Sequence, residues 1–500
     1  MNLGSVLDQL IGVFSPRTAL ARVAYREMLS QRSGYEGARQ DWRATSWRNE
    51  AAGANLALVG DLPILRNRAR SLVRNNPLAK RSLEVLVGHT VGCGLRPSFK
   101  TDSRAQRKRL TDAWARFAET ADTRRQTTIY GLQEQAVRGM FESGEALTLR
   151  DVRKRNGAPV LSYLVMEGDH IDHSREGIFD GRVTRLGVSL EKDGHAPDGY
   201  WLWEQNPSDA ILFGTYPYPK WVPIEGINHL YRIRRPGQMR GVSEFAAILP
   251  LMRDLADYME AALVKARAEA NFVGVVKSQD AGAGSLATRR DTAPDGTDRI
   301  YGEMSPGMLH RLDQGEDIVF SQPSSNPNFA PFTLQAQQQA AAGVGVTYDQ
   351  ATGDLRQANY SSLKAGKIDF RVIVEMIRDL TITPQLLTPI YRDFVDFGRT
   401  FGVLSPSDER VPVEWIAPGW EPIDPLKDLE ADILAVRSGR KTWGEFVLEW
   451  GRDPQQQIED IARFNAELDA ASITLDTDPR KVAAGGKAQA TVADPAPPKD

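Results

Sequence analysis

Ser243-Glu-Phe-Ala-Ala-Ile-Leu-Pro-Leu-Met-Arg-Asp-Leu-Ala-Asp-Tyr-Met-Glu-Ala-Ala-Leu263 decides the architecture. Phe245, Ile248 or Leu249, Met252, Leu255, Met259 and Leu263 recur at the spacing of one helix face. Arg253, Asp254, Asp257, Glu260, Lys265, Arg267 and Glu269 cover the other. A long helix is predicted over 243–270, with Pro250 either in its first turn or kinking it. A short strand, Phe272–Val276, follows. Ser278–Thr297 is rich in Gly, Ala, Ser, Thr and Asp and reads as a mobile loop. Tyr301–Leu312 and Asp317–Phe320 suggest a small β unit. Phe332–Ala342 is helical again and should end at Gly343. Two helical stretches therefore bracket a small β-containing element.

Upstream, residues 1–60 lack sustained periodicity and read as an arm lying on another surface. Asp61, with Pro63 behind it, opens a helix. Leu65, Ala69, Leu72 and Val73 are placed on its core face, and Arg66, Arg68, Arg70 and Arg74 on its solvent face. Asn75-Asn-Pro77 breaks it, and a second helix should close between Gly88 and Gly94. Helices follow over 101–120 and 130–143. Residues 145–240 read as β, with Asp193-Gly194 as a hairpin turn.

Downstream, Tyr348–Tyr360 is polar and reads as flexible. Ser361–Phe397 is a second long helical stretch, broken near Pro384 and Pro389. Trp415 and Trp420 lie in a Pro- and Gly-rich segment. Asp424-Pro425 opens a compact helical unit, and 471–500 reads as a disordered tail.

With 500 residues, 41% hydrophobic and 25% charged, the chain has a globular composition and is too long for one ordinary domain. Net charge is only −3, so polyanion binding by overall charge is excluded. The charge is uneven: residues 1–155 carry 27 Lys+Arg against 15 Asp+Glu, and the remainder 35 against 50. The two parts are expected to face different partners. The single cysteine, Cys93, rules out an internal disulfide and reads as a small buried filler. No apolar run approaches the roughly 20 residues of a membrane span, and the N-terminus does not read as a secretory signal. A cytoplasmic protein is expected.

No Gly-x-x-x-x-Gly-Lys-Ser/Thr, Gly-x-Gly-x-x-Gly after a strand, Gly-x-Ser-x-Gly or His-Glu-x-x-His string occurs. His170 and His173, beside Glu167, Asp169 and Asp172, form a cluster with metal-ligand chemistry, but a hydrogen-bonded turn is the better reading of it. Neither catalytic residues nor a cofactor or metal are expected.

The local strings, in order, are Leu62-Pro-Ile-Leu-Arg66, Arg70-Ser-Leu-Val-Arg-Asn-Asn-Pro77 and Val91-Gly-Cys-Gly94. Then come Gly343-Val-Gly-Val-Thr-Tyr348, Asn359-Tyr-Ser-Ser362, Trp415-Ile-Ala-Pro-Gly-Trp420, Ile423-Asp-Pro-Leu-Lys-Asp428 and Ser438-Gly439. In their order and spacing, over residues 30–470, the chain resembles the lambda-type family of bacteriophage portal proteins. Gly343 departs from the pattern, standing where a helix-favouring residue is expected.

The resemblance implies an α+β portal fold. By position, 1–60 is an N-terminal arm and 61–242 a β-rich wing. Two stem helices, 243–270 and 330–346, bracket a small α/β clip at 271–329. A channel loop spans 347–362, a long kinked helix and wing return 363–423, a helical crown 424–470 and a tail 471–500. It implies a homo-oligomeric ring, usually of twelve subunits, at one capsid vertex. Double-stranded DNA would pass through it without sequence specificity. The terminase large subunit, the major capsid and scaffold proteins and the head-completion or tail adaptor proteins would be its partners. Assembly would occur in the host bacterial cytoplasm and the product would be a virion component, with no membrane partner. Arg356, Gln357, Asn359, Lys364 and Lys367 are the candidate DNA-channel residues; Arg356 could instead pair with Asp354 or Asp349. Arg289, Arg290, Asp291, Asp298 and Arg299 are the clip candidates for terminase docking. An acidic or neutral lining would lower friction on a sliding polymer, because phosphate contacts dominate DNA affinity. Two other readings fit less well: a capsid or tail adaptor ring without a conduit, and a metal-dependent nucleic-acid enzyme using His170 and His173.

Overall fold

The structure, a computed structural model, describes residues 52–210, 218–271, 275–278, 289–292, 298–301, 316–319, 328–356, 359–406, 408, 410–422, 424–475, 478 and 480. The expected arm and tail lie almost wholly outside them.

Four helices open the described chain: α1 (Asp61–Asn75), α2 (Pro77–Thr90), α3 (Arg104–Thr120) and α4 (Ile129–Ser143). Local chemistry sets two of the starts. The Asn76 side chain accepts from the Leu78 and Ala79 amides with Pro77 as the first helical residue, and Ser103 accepts from Gln106. Helix α2 ends at Thr90, inside the expected Gly88–Gly94 stretch. Cys93 is exposed and not a core filler, since Val91 and Leu95 on either side of it take the buried positions.

Strand β1 (Arg96–Phe99) pairs only with β14 (Val413–Ile416), which joins the start of the chain to its late segment. Two antiparallel sheets hold the middle. The order β3-β2-β9 comes from β2 (Glu145–Arg155), β3 (Ala158–Glu167) and β9 (Ile227–Tyr231). The second is a five-stranded meander: β4 (Gly177–Phe179), β5 (Arg182–Arg185), β6 (Val188–Leu190), β7 (Pro197–Leu202) and β8 (Lys220–Pro223). The Asp193-Gly194 turn joins β6 to β7, as its sequence predicts.

The long helix α5 (Leu249–Asn271) begins with Pro250 in its first turn, where a missing N–H costs nothing. Its partner α6 (Phe329–Val344) passes through Gly343 and ends at Gly345 in the left-handed region. A Cβ at Gly343 would lie 2.4 Å from Ile248 Cγ2, so the small residue is set by helix-to-helix contact. Tyr258 meets Phe329 and Phe332 at ring distances of 5.6 and 4.9 Å. Contacts 248–343 and 258–332 run in opposite order along the two helices, which are therefore antiparallel. Between them in sequence lie β10 (Val275–Ser278) paired with β13 (Glu316–Val319), and β11 (Arg289–Thr292) paired with β12 (Asp298–Tyr301). β11 falls inside the stretch read as a mobile loop: backbone pairing with β12 overrides its loop-like composition.

The last helices are α7 (Tyr348–Thr352), α8 (Tyr360–Ile377), α9 (Thr388–Thr400), α10 (Pro425–Arg437), α11 (Trp443–Glu449) and α12 (Pro454–Ala470). Between α8 and α9 the chain does not break at Pro384. It widens into a ten-residue π-helix, Arg378–Leu387, whose exit is marked by a Thr388 amide donating five residues back to Thr383. The main core joins α1–α4, α6, α8 and α9; Trp114, Phe117 and Phe394 meet there edge to face or tilted at 5.1–5.3 Å.

Candidate functional site

The segment from α6 to α8 is more structured than its polar composition suggests. Gln350 Oε1 accepts from the Thr347 amide at 3.0 Å, fixing the start of α7, and Ala351 is buried. Gly353 ends that helix in the left-handed region. Asp354 then collects a short turn: Tyr348 donates its hydroxyl at 3.2 Å, and Arg356 donates its amide at 3.1 Å and Nε and Nη2 at 2.9 Å each. These Arg356 bonds, more than any other cause, hold the Asp354 carboxyl well below the usual carboxylate range. Of the two carboxylates open to Arg356, Asp354 is thus the partner, and the guanidinium stays 87% exposed.

Asn359 caps α8. Its side chain accepts from the Ser362 amide at 2.8 Å while its own amide donates to Ser362 Oγ at 3.2 Å. Lys364 is paired with Asp428 of α10 at 3.0 Å. Lys367 is half-buried and lines a hollow with His89, Arg371 and Trp420. Gln357 lies outside the described residues. The candidates do not form one patch. Arg356 borders a cavity of about 950 Å³ with Phe329, Tyr348 and Leu363. Lys364 and Lys367 border another, of about 450 Å³, with Trp420 and Trp450.

The clip candidates share one ribbon. Asp291 stands opposite Arg299 and Thr292 opposite Asp298, with Arg289 and Arg290 opposite Tyr301 and Ile300. All five therefore lie on a single antiparallel pair.

The largest surprise lies at the start of β2. Glu145, at the start of β2, is fully buried and accepts from Arg66 at 2.6 Å, from Arg240 Nε at 3.0 Å to both oxygens, and from the Gly241 amide at 2.9 Å. His229 Nε2 lies 3.1 Å away. Arg240 also donates to the Leu186 and Gly168 carbonyls at 2.7 and 2.8 Å. Burial works to raise the Glu145 carboxyl, but Arg240, His229 and Arg66 outweigh it and hold the group well below its ordinary value. Arg66 is therefore on the core face of α1, not the solvent face. Helical periodicity assigns a charge to water unless its partner is visible, and this one is 79 residues away. Gly168 is needed here, since a Cβ would meet Glu145 Oε1 at 2.2 Å.

The cluster considered for a metal belongs to the same network. Asp169 pairs with Arg66 at 3.3 Å and Arg70 at 2.6 Å, and Glu167 lies 3.4 Å from Arg70. Asp172 accepts from Ser174 Oγ at 2.6 Å, and His170 Nδ1 sits 3.0 Å from the Trp203 carbonyl. Among the described residues, no group of three or more His, Cys, Asp or Glu side chains is placed to hold a metal ion. None of their helices is long and apolar enough to cross a membrane.

A second unforeseen cluster surrounds Trp420. His89 stacks on its ring at 5.5 Å, Arg371 and Arg378 lie 5.1 and 5.3 Å from its centre, and its Nε1 donates to Glu375 at 3.1 Å. Arg378 also caps the end of α2, donating to the Thr90 and His89 carbonyls at 2.9 and 2.5 Å. Trp420 stands out in the sequence, but its neighbours come from distant segments.

Comparison with known proteins follows the same outline. The chain is 25% identical over 453 residues to the probable portal protein of Halomonas phage phiHAP-1, covering 86% of each chain. It is 22% identical over 501 residues to portal protein B of Escherichia phage lambda, covering 89% of this chain and 92% of that one. Among solved structures, a chain from the neck of an empty gene transfer agent particle matches 79% of this chain and 94% of its own length. Its TM-score is 0.46 and its identity 17%. The family model for phage portal proteins of the lambda family matches residues 40–378. That match spans more than half of the sequence: the chain belongs to the lambda family of phage portal proteins.

Proposed function

We propose that copies of this chain assemble into a ring, of about twelve subunits by family resemblance, at one vertex of a phage capsid. Duplex DNA enters through its axis during packaging and leaves through it at ejection. The observation that carries this reading is the lambda-family portal match, which runs from residue 40 through α5, α6 and the whole of α8. A structural role fits that family better than catalysis.

The stem supports the ring. Met259, Leu263, Val264 and Phe332 are each about half exposed on α5 and α6. Apolar side chains concentrated in this way mark surfaces that another protein covers. A second copy of the chain is the natural cover, because a ring repeats one heterologous contact. The β11–β12 ribbon, with its five charged residues, is the surface we assign to the terminase large subunit and later to head-completion proteins. Arg356 is the exposed cation nearest the α7–α8 turn and would touch passing phosphates transiently, its charge already shared with Asp354.

In vitro packaging tests the reading. Procapsids assembled without this chain should protect no DNA from nuclease, and procapsids assembled with it should protect a full genome. Protection without the chain would overturn it.

A further inference from the structure

The arginines around Glu145 are matched by carboxylates, but among the described residues Arg81, Arg371 and Arg378 around Trp420 form no ion pair. Arg81, Lys367, Arg371 and Arg378 all bear on His89, whose imidazole is held below its ordinary value first by burial and then by these four cations. Arg81 Nε reaches the Gln350 carbonyl at 3.3 Å, Arg371 the Glu421 carbonyl at 3.0 Å, and Arg378 two carbonyls of α2. Their acceptors are neutral, and Lys367 has neither a hydrogen bond nor an ion pair among the described residues. Unlike charges are within easy reach. Glu421 lines the same hollow, and Glu375, which accepts from Trp420, acts with Asp379 on Arg378 through space, yet none of the three pairs with Lys367 or Arg371. Like charges gathered at this density cost free energy unless an anion sits among them.

The hollow is real space. Gly88, His89, Lys367, Phe370, Arg371 and Trp420 line a cavity of about 290 Å³. The Trp420 ring is already in contact with one imidazole and two guanidiniums, so it has little open face for a base to stack on. What remains for a ligand is a compact anion met by one ammonium and one partly committed guanidinium fork. That donor pair suits the several oxygens of a phosphate group.

We propose that this hollow is an oxyanion site that takes one phosphate group, held by Lys367 Nζ and the Arg371 guanidinium beside Trp420. The phosphate is either free inorganic phosphate or a phosphodiester of DNA. In the second case the site deepens the channel reading and rests on it; in the first it is independent of that reading.

Equilibrium dialysis of the full-length protein against radiolabelled orthophosphate tests the proposal. Saturable binding of about one phosphate per chain is expected. Lys367→Met and Arg371→Met should each weaken it about tenfold or more, the worth of one charge-assisted contact. Lys367→Arg, which keeps the charge, should retain binding, and this separates loss of the contact from loss of the fold. Glu421→Gln should tighten it by removing a repelling neighbour. A short DNA duplex that displaces the label assigns the site to a phosphodiester, and a duplex that leaves the label bound assigns it to free phosphate. Three results would overturn the proposal: no saturable binding, binding indifferent to Lys367→Met, or equal competition by acetate. Rings that form normally but bind no phosphate would sink this site and leave the channel reading standing.

Discussion

Two clusters of charge in this chain are handled in opposite ways. At the start of β2, Glu145 is met by two arginines, a histidine and a backbone amide, and each arginine has a further acceptor. Around Trp420, among the described residues, three arginines donate to carbonyls, and neither they nor Lys367 form an ion pair, although Glu375 and Asp379 act on Arg378 through space. The Glu145 network closes within one chain, so its charges act on stability. Among the described residues, the Trp420 cluster and the half-exposed apolar residues of α5 and α6 are left open, which is what the proposed ring and anion site would complete. The difference separates residues that build the subunit from residues that await a copy, a polymer or an ion.

Removing the hub of the closed network should have the largest effect. Glu145→Gln leaves Arg240 buried with no compensating charge and Arg66 with Asp169 alone, and should destabilise the chain by about 3–5 kcal/mol. Thermal unfolding measures it, and a loss below about 1 kcal/mol would mean that the network is not closed. Next comes the stem. Gly343→Ala forces a methyl against Ile248 and should cost about 1–3 kcal/mol. Adding Ile248→Ala should recover part of that loss, and two losses that simply add would deny the contact.

Acid should weaken the Glu145 network in two stages. Burial holds His229 below its ordinary value despite Glu145, so the folded chain keeps it neutral where the unfolded chain protonates it. Stability should therefore fall as pH drops below about 6.5. Glu145 is depressed instead, so its contribution is whole above the ordinary carboxyl range and is lost as pH falls through its folded value. Melting temperature against pH should show both stages, and His229→Gln should flatten only the upper one. An unchanged profile in that variant would assign the upper stage elsewhere.

Asn359→Ala removes the cap of α8 and should cost about 1 kcal/mol. Arg356→Ala should be the mildest change to the subunit, because its partner turn is exposed. It should leave melting and ring formation unchanged while lowering the DNA retained in filled particles. Normal retention would remove Arg356 from the channel.

The sequence showed the parts whose causes are local. Asn76-Pro77, Ser103, Asp193-Gly194 and the apolar spacing of 243–263 each act within a few residues, and their elements lie where those signals put them. What it hid depends on partners far along the chain. Arg66 reads as a surface charge because Glu145 is invisible from α1. Pro384 reads as a break because the π-turn that absorbs it is stabilised from outside the helix: Arg378 at its start holds the end of α2, and Gln385 accepts from the Tyr231 amide. Gly343 reads as a helix end because Ile248 is not adjacent in sequence. The candidate site was legible by resemblance more than by residue. In the structure Asn359 is a cap, Lys364 pairs with Asp428 of α10, and Lys367 belongs to a different hollow from Arg356.

Electron microscopy of the purified protein in negative stain, averaged down the particle axis, tests the central claim most directly. The account predicts closed rings of near twelvefold symmetry, with a central hole about as wide as a DNA duplex. Monomers or small closed oligomers that persist with scaffold and shell protein present would contradict it.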